Sequence, residues 1–259
     1  MTGSTIDLSL VIACYNEGPS LSDSVRQVID TLDNTGWSYE LIFVDDYSQD
    51  GTRQSIDKVL TQYADRNITR LFHEHNTGRG RAVSDGSRLA CGHVEGYIDI
   101  DLEIPARYIP AHVMAIKNGA DVATAQRLYK VQPRLWLRFL LSTGYAWLRQ
   151  TMLNIPLKDT EAGYKFFHRA SLMRVLDQVV DEHWFWDTEI MVRSYLAGYK
   201  IEEIPCPFIK RYDKQSTVRV WRDTVDYFVK LWHFCRVVKQ LRRASPVAVL
   251  RRTANQQPF

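Results

Sequence analysis

The first hundred residues alternate short apolar segments with segments of helical spacing, and this alternation constrains the fold more than any other feature. The apolar segments are found at 8–13, 40–44, 68–74 and 96–100. Ser20 stands where it would cap a helix after the first segment, and further helices are expected at 53–62 and near 81–91. Strands and helices at this short spacing predict right-handed βαβ units and an α/β fold with a mostly parallel central sheet flanked by helices.

Acidic side chains follow three of the predicted strands. Glu17 comes after the first, Asp45 and Asp46 come after the second, and Asp99 and Asp101 come after the fourth. The carboxyl ends of parallel strands meet at one edge of a sheet, where ligands of such folds bind. The sequence therefore predicts a crevice at this edge that is lined with carboxylates.

The acidic segment 99–103 has the composition of a metal site. Alternate residues of a strand point to the same side, so Asp99, Asp101 and Glu103 could face one pocket. Neighbouring carboxylates repel one another unless a cation joins them, and hard oxygen ligands suit Mg²⁺ or Mn²⁺. Such an ion could bridge a diphosphate and neutralise the charge that develops when it leaves. The alternative is a solvated loop with scattered acids, because the motif is short and common.

The sequence lacks the motifs of a zinc site, a disulfide framework, several common enzyme classes and a nucleic-acid-binding module. The four cysteines form no CxxC pair, and no GxSxG, HExxH or P-loop pattern occurs. No nucleic-acid-binding module is visible, so no nucleic-acid partner is expected. There is no signal-peptide pattern and no apolar run of ~18 residues, which predicts a cytoplasmic protein that can lie on a membrane surface.

The second half of the chain is less regular. A strand is expected at 120–125, a helix at 185–197 and an extended segment at 201–208. We expect one domain over 1–220, followed by an amphipathic helix at 221–243 and a disordered tail at 244–259.

The long helix carries an apolar stripe beside a basic one. The apolar members are Val225, Phe228, Trp232, Cys235 and Val238, and the basic ones are Lys230, Arg236, Lys239, Arg242 and Arg243. Such a helix could lie in an anionic membrane interface, and the aromatic stretch 135–149 could do the same. The alternative is that both stripes cover the core or a partner in a homo-oligomer.

Three further blocks accompany the acidic segment: Tyr15-Asn16-Glu17, the segment 45–52 from Asp45-Asp46 to Gly51-Thr52, and the segment 76–82. In order and spacing, the four blocks resemble the family 2 glycosyltransferases with a GT-A fold. The resemblance is closest to the dolichyl- or polyprenyl-phosphate mannosyltransferase branch and covers roughly residues 8–220.

The resemblance implies a role for each matching residue on the donor side. The nucleoside pocket would be lined by Ala13, Tyr15 and Glu17, with Glu17 near the ribose. Asp45 or Asp46 would contact the base. The diphosphate and metal would be held by Asp99, Asp101 and Glu103. Tyr47 departs from the family, which usually has a small residue there, and this leaves the donor open.

On the acceptor side, the resemblance implies that Arg127 binds phosphate and that Asp159 lies near the acceptor. Together with Asp101, these residues would form the catalytic set. The acceptor phosphate would be contacted by Arg211, Ser216 and Arg219. Lys214 and Thr217 stand where the family has glycine and lysine.

The resemblance implies transfer of a sugar from a nucleotide diphosphate sugar, GDP-mannose or UDP-glucose, to a polyprenyl or dolichyl phosphate. Inversion and dependence on Mg²⁺ or Mn²⁺ are expected, as is a peripheral position on the cytoplasmic face of a membrane. Two alternatives remain: a family 2 enzyme with a soluble or polysaccharide hydroxyl acceptor, and a non-catalytic protein that binds nucleotide sugar.

Overall fold

A central sheet organises the computed structural model, which describes residues 6–18, 20–129, 150–210 and 220–244. Within these residues the strands are β1 (Leu8–Cys14), β2 (Tyr39–Asp45), β3 (Ile68–Phe72), β4 (Val94–Asp99), β5 (Val122–Leu128), β6 (Tyr164–His168) and β7 (Ile201–Pro207). They form one seven-stranded sheet in the order β3-β2-β1-β4-β6-β5-β7.

Helices pack on both faces of this sheet. They are α1 (Leu21–Asp33), α2 (Thr52–Gln62), α3 (Arg79–Leu89), α4 (Ile109–Lys117), α5 (Arg169–Leu176), α6 (Trp186–Leu196) and α7 (Val220–Ala244). The N-terminal residue of α1 follows Ser20, whose side chain makes no capping hydrogen bond, so the expected cap is absent.

The first four strands confirm the predicted parallel sheet. β1 lies between β2 and β4 and is parallel to both, and β3 is parallel to β2. β6 was not predicted, and it runs antiparallel to both β4 and β5. It is buried on both faces at its start, so it lacks alternation, and Lys165 interrupts its apolar run, so it lacks the continuous run of a buried strand as well.

The core forms two layers, one on each face of the sheet. Leu10 and Ile12 of β1 pack on the face that α1 and α4 cover, whereas Val11 packs on the face of α3 and α6. A strand that buries both faces is a continuous apolar run, which is why 8–13 is recognisable in the sequence. Each such buried side chain contributes about 1.5–3 kcal/mol.

Helix α7 has a buried and an exposed side. Leu231, Phe234 and Val238 are buried against the body of the protein, while Phe228 and Trp232 are exposed. The stripe predicted from the sequence is therefore not uniformly exposed, because Phe228 and Trp232 are exposed whereas Val238 is buried. In the part of the chain that the structure describes, no helix combines the length and apolarity needed to span a bilayer. The stretch 135–149 and the tail 245–259 lie outside it.

Candidate active site at the carboxyl edge of the sheet

The loops after β1 and β2 are held together by hydrogen bonds at the carboxyl edge. The backbone N–H of Asn16 donates to Oγ of Ser48 at 2.9 Å, and that of Glu17 donates to Oγ1 of Thr52 at 2.8 Å. Asn16 and Tyr47 have φ angles of 57° and 67°, so both loops turn sharply as they leave the sheet. The pairing of β1 with β2 and β4 brings the three acidic strand ends to one edge, as predicted.

Asp46 ties this edge to the loop before α3. Its carboxylate accepts hydrogen bonds of 2.8 Å from the backbone N–H groups of Thr77 and Gly78, and it lies 2.9 Å from Nδ1 of His73. Burial opposes ionisation, but the bonds from His73 and Thr77 outweigh it and lower the pKa of Asp46. The side chain is therefore an ionised structural anchor.

Asp45 is also buried but is less completely bonded. Its Oδ2 accepts from Nε of Arg53 at 2.6 Å and from the N–H of Ser48 at 3.1 Å. Its Oδ1 is buried and accepts no hydrogen bond from any described residue. A buried acceptor without a donor costs about 1–3 kcal/mol, so this oxygen is an unsatisfied acceptor at the end of β2.

The side chains around these acids are aromatic and small. Tyr15 and Tyr47 are 39% and 41% exposed at the ends of β1 and β2, and Ala13 is half-buried between them and β4. The guanidinium of Arg53 lies 5.8 Å from the ring centroid of Tyr47. Glu17 is partly buried in the loop after β1. Two exposed aromatic rings at the ends of β1 and β2 suit a planar heterocycle.

The acidic segment after β4 turns away from the sheet within the motif. β4 ends at Asp99, and Leu102 has a φ of 53°, so strand alternation does not continue to Glu103. Oδ1 of Asp101 accepts the backbone N–H of Glu103 at 3.2 Å. The pKa of Asp99 is raised, first by desolvation, and Asp101 adds to the rise while Arg79 opposes it.

The Asp99–Asp101 pair is the candidate site for a divalent ion. Among the described residues, no three His, Cys, Asp or Glu side chains cluster closely enough to hold a metal ion by themselves. Asp101 nevertheless lies close enough to raise the pKa of Asp99, a repulsion that a cation would relieve. Mg²⁺ commonly takes only one or two carboxylates, together with substrate phosphates and water. The oxygen donors present therefore fit a divalent ion that a diphosphate helps to hold.

Arg79, to which the sequence alone assigned no role, contacts Asp99. Its Nε and Nη2 both donate to Oδ1 of Asp99, at 2.9 and 2.6 Å, and its Nη1 donates to Asp187 at 2.5 Å. The sequence signal that could have pointed to Arg79 is its position between Gly78 and Gly80 at a helix start, since glycines there allow other elements to approach the helix closely. A Cβ at Gly80 would overlap Trp186.

Arg127 and Asp159 form an ion pair at the same edge. Nε and Nη2 of Arg127 donate to the two carboxylate oxygens of Asp159, at 2.7 and 2.9 Å. Burial opposes the ionised form, but Arg127 outweighs it and lowers the pKa of Asp159. Glu203 of β7 accepts the backbone N–H of Asp159 at 3.0 Å. Gly163, four residues on, accepts the N–H of Asp99 at 2.9 Å, which joins this segment to the acidic end of β4.

The remaining predicted acceptor residues lie outside the described part of the chain. They are Arg211, Ser216 and Arg219, together with the departures Lys214 and Thr217.

The protein is an α/β protein with a parallel-rich sheet, and carboxylates and exposed aromatic rings lie at the carboxyl edge, where sheets of this kind bind their ligands. Residues 9–185 match Glycosyl transferase family 2, and the chain belongs to this family.

Relatives extend the similarity beyond the matched residues. The chain is 31% identical over 256 residues to glycosyltransferase AglD of Haloferax volcanii, covering 96% of this chain and 41% of that protein. It is 26% identical over 215 residues to a dolichyl-phosphate beta-glucosyltransferase of Dictyostelium discoideum, covering 77% and 65%. The chain thus spans less than two thirds of the length of these relatives.

Solved structures share the fold. Glucosyl-3-phosphoglycerate synthase of Mycobacterium tuberculosis in complex with UDP superposes with a TM-score of 0.65 at 15% identity, covering 89% of this chain and 80% of that one. The same enzyme with Mn²⁺ and UDP-glucose gives 0.62 at 14% identity, with coverage of 88% and 79%. The expected GT-A fold is confirmed.

Proposed function

We propose that this protein is an inverting hexosyltransferase that moves glucose from UDP-glucose to a polyprenyl phosphate with the help of Mg²⁺ or Mn²⁺. The observation that carries the proposal is the meeting of two features at one sheet edge: the Asp99–Asp101 carboxylates and the Arg127–Asp159 ion pair. The first suits a nucleotide diphosphate and the second suits an anionic acceptor. Relatives named dolichyl-phosphate beta-glucosyltransferase support glucose over mannose.

The nucleoside would lie between the loops after β1 and β2. Tyr15 and Tyr47 offer exposed rings, and Oδ1 of Asp45 lacks a donor that a base N–H would supply. Asp46 is already bonded by three residues, so Asp45 is the better candidate for the base contact. Ala13 and Glu17 complete this side, with Glu17 near the ribose.

Asp101 and Asp99 would hold the divalent ion together with the diphosphate, whereas Glu103, expected from the sequence as a third ligand, does not cluster with them. When bound, the ion supplies positive charge to the diphosphate as that group leaves. The chain itself holds Asp99 through Arg79 and orders the turn through the bond between Asp101 and the Glu103 backbone. These bonds fix the carboxylates before substrate binds, which is how preorganised charge contributes to catalysis.

The Arg127–Asp159 pair favours a phosphate acceptor over a hydroxyl. A hydroxyl acceptor needs a general base, but both oxygens of Asp159 are bonded to Arg127 and its pKa is lowered. A phosphate is already anionic near neutral pH and needs mainly alignment and charge. Arg127 would bind that phosphate with Asp159 orienting its guanidinium, and Arg211, Ser216 and Arg219 would add contacts.

A lipid acceptor places the protein at a membrane surface, and α7 offers a suitable face. Phe228, Val229 and Trp232 are exposed there, and Arg236 stacks on Trp232 at 4.0 Å from the ring centroid. Interfacial helices combine aromatic and basic residues in this way. We propose that residues 1–220 carry the reaction and that the helix contributes this contact.

The test is transfer of radiolabelled sugar from UDP-glucose and GDP-mannose to a short polyprenyl phosphate with Mn²⁺ or Mg²⁺. We expect label from UDP-glucose in the lipid phase, and none with Asp101→Asn. Only water-soluble product would move the hydroxyl-acceptor alternative to first place. Binding of UDP without any turnover would identify a non-catalytic nucleotide-sugar protein.

A further inference from the structure

A network of alternating charges joins the acidic end of β4 to α3, β6 and α6, and it is buried except at Asp99, whose side chain is 43% exposed. Arg79, the first residue of α3, lies at its centre and donates two hydrogen bonds to the single atom Oδ1 of Asp99 and a third to Oδ2 of Asp187. A guanidinium is planar and presents its donors in a fixed fork. Two of these donors converge on Oδ1 of Asp99 and hold the position of that oxygen.

On the side away from Asp99, the network is held by buried partners of Asp187. Oδ1 of Asp187 accepts from Nζ of Lys165 at 2.6 Å and from the hydroxyl of Tyr97. The side chains of Lys165 and Asp187 are 0% and 3% exposed. The guanidinium of Arg79 also lies 5.5 Å from the Tyr97 ring centroid and 5.7 Å from that of Trp184. Arg79 is thus packed on two sides and cannot follow a moving Asp99.

Gly163 limits Asp99 from a third direction. Its carbonyl accepts the N–H of Asp99 at 2.9 Å, and a Cβ at this position would overlap both Oδ2 of Asp99 and Nη2 of Arg79. The carboxylate and the guanidinium therefore occupy the space that any other residue at 163 would need.

We propose that Arg79 is a positioning residue: it holds the Asp99 carboxylate in the orientation that receives the nucleotide diphosphate and its divalent ion. The ligand in this statement rests on the proposed function, whereas the clamp on Asp99 stands on the contacts alone. Stability is a weak reason for such a network, because buried ion pairs often contribute little net stability. A group that must be aimed at a ligand gains directly from being fixed.

Arg79→Gln is the principal variant, Arg79→Lys retains the charge without the fork, and Arg81→Gln is the matched control. Arg81 lies in the same helix, is 47% exposed and pairs with Asp85. Calorimetry measures binding of UDP with Mn²⁺, and amide hydrogen exchange measures the order of segment 99–103. We expect Arg79→Gln to weaken UDP binding tenfold or more and to speed exchange in 99–103. Arg79→Lys should weaken UDP binding less than Arg79→Gln does, and Arg81→Gln should bind UDP with an affinity within twofold of the wild type.

Replacing Arg79 removes the positive charge that compensates Asp99 and Asp187 and can unfold the protein. Gly163→Ala is therefore the second variant. It keeps every charge and pushes a methyl group against Asp99 and Arg79. We expect the same direction of change in both measurements. Wild-type affinity and wild-type exchange in either folded variant would overturn the proposal. If the wild-type protein transfers no sugar, the proposed function fails, and the UDP and exchange comparisons still decide the role of Arg79. If it binds no UDP, exchange alone decides it.

Discussion

Glu95 is buried in the sheet, in the half of β4 away from the candidate site. Ser9 of β1 is in register with Glu40 of β2 on one side and with Glu95 of β4 on the other, so two carboxylates flank one serine. Glu95 is 1% exposed and lies 3.2 Å from Arg169. Burial raises the pKa of Glu95 to about 7, while Ser87 and Arg169 lower it less strongly.

This raised pKa makes stability depend on pH in a definite direction. The folded state prefers the protonated carboxyl, so stability falls as the pH rises from the ordinary value of 4.5 to about 7. At ~1.4 kcal/mol for each tenfold change in acidity, ionisation of Glu95 costs about 3 kcal/mol in full. Roughly 2 kcal/mol of this falls between about pH 5 and pH 8. Glu95→Gln removes the ionisation and should remove this part of the pH dependence.

The assay is denaturant unfolding of both proteins at a series of pH values across this window. We expect the free energy of unfolding of Glu95→Gln, relative to that of the wild type, to increase by about 2 kcal/mol between about pH 5 and pH 8. Glu202→Gln, at an exposed position of β7, is the control and should follow the wild type. Parallel curves for Glu95→Gln and wild type would refute the reasoning, because they would show that Glu95 does not change its ionisation on folding.

Three further predictions test the site, the packing and the proposed membrane face. Asp101→Asn should reduce metal-dependent sugar transfer by about 100-fold or more with little change in melting temperature, since electrostatic contributions of this size are typical of such sites; a melting shift that tracks the lost activity would indicate a structural role instead. Gly80→Ala should destabilise the protein by about 1–3 kcal/mol in denaturant unfolding, because the new methyl group overlaps Trp186; unchanged stability would show that α3 can shift. Trp232→Ala should weaken binding to anionic vesicles in a sedimentation assay without loss of stability. Leu231→Ala, at the buried neighbouring position, should cost about 2–5 kcal/mol of stability. Equal vesicle binding by the wild type and Trp232→Ala would show that Trp232 is not part of the membrane contact.

Much of the fold could be predicted because the strands of the parallel half of the sheet have a recognisable sequence pattern. Strands buried on both faces are continuous apolar runs, and the acids that follow them mark where each strand ends. The expected runs at 8–13, 40–44 and 96–100 correspond closely to β1, β2 and β4. β6, α4 and α5 were not predicted: Lys165 interrupts the apolar run of β6, and the two helices are only nine and eight residues long.

The candidate site was predictable only in outline. Asp45 and Asp46 are adjacent and chemically equal in the sequence, and only their partners separate them: Asp46 is bonded from His73, Thr77 and Gly78, while Asp45 keeps a buried oxygen without a donor. The family resemblance likewise named Arg127 and Asp159 separately, whereas the structure joins them.

Which strands are buried, where acids leave the sheet, and the family to which the chain is similar can be read from the sequence, because these depend on local composition and spacing. Which charges meet depends on the fold of the whole chain. Arg79, Lys165 and Asp187 come from three elements far apart in the chain, and they contact one another because β4, β6, α3 and α6 converge at one edge. Whether a buried charge is compensated depends on such distant partners, and no local pattern records them.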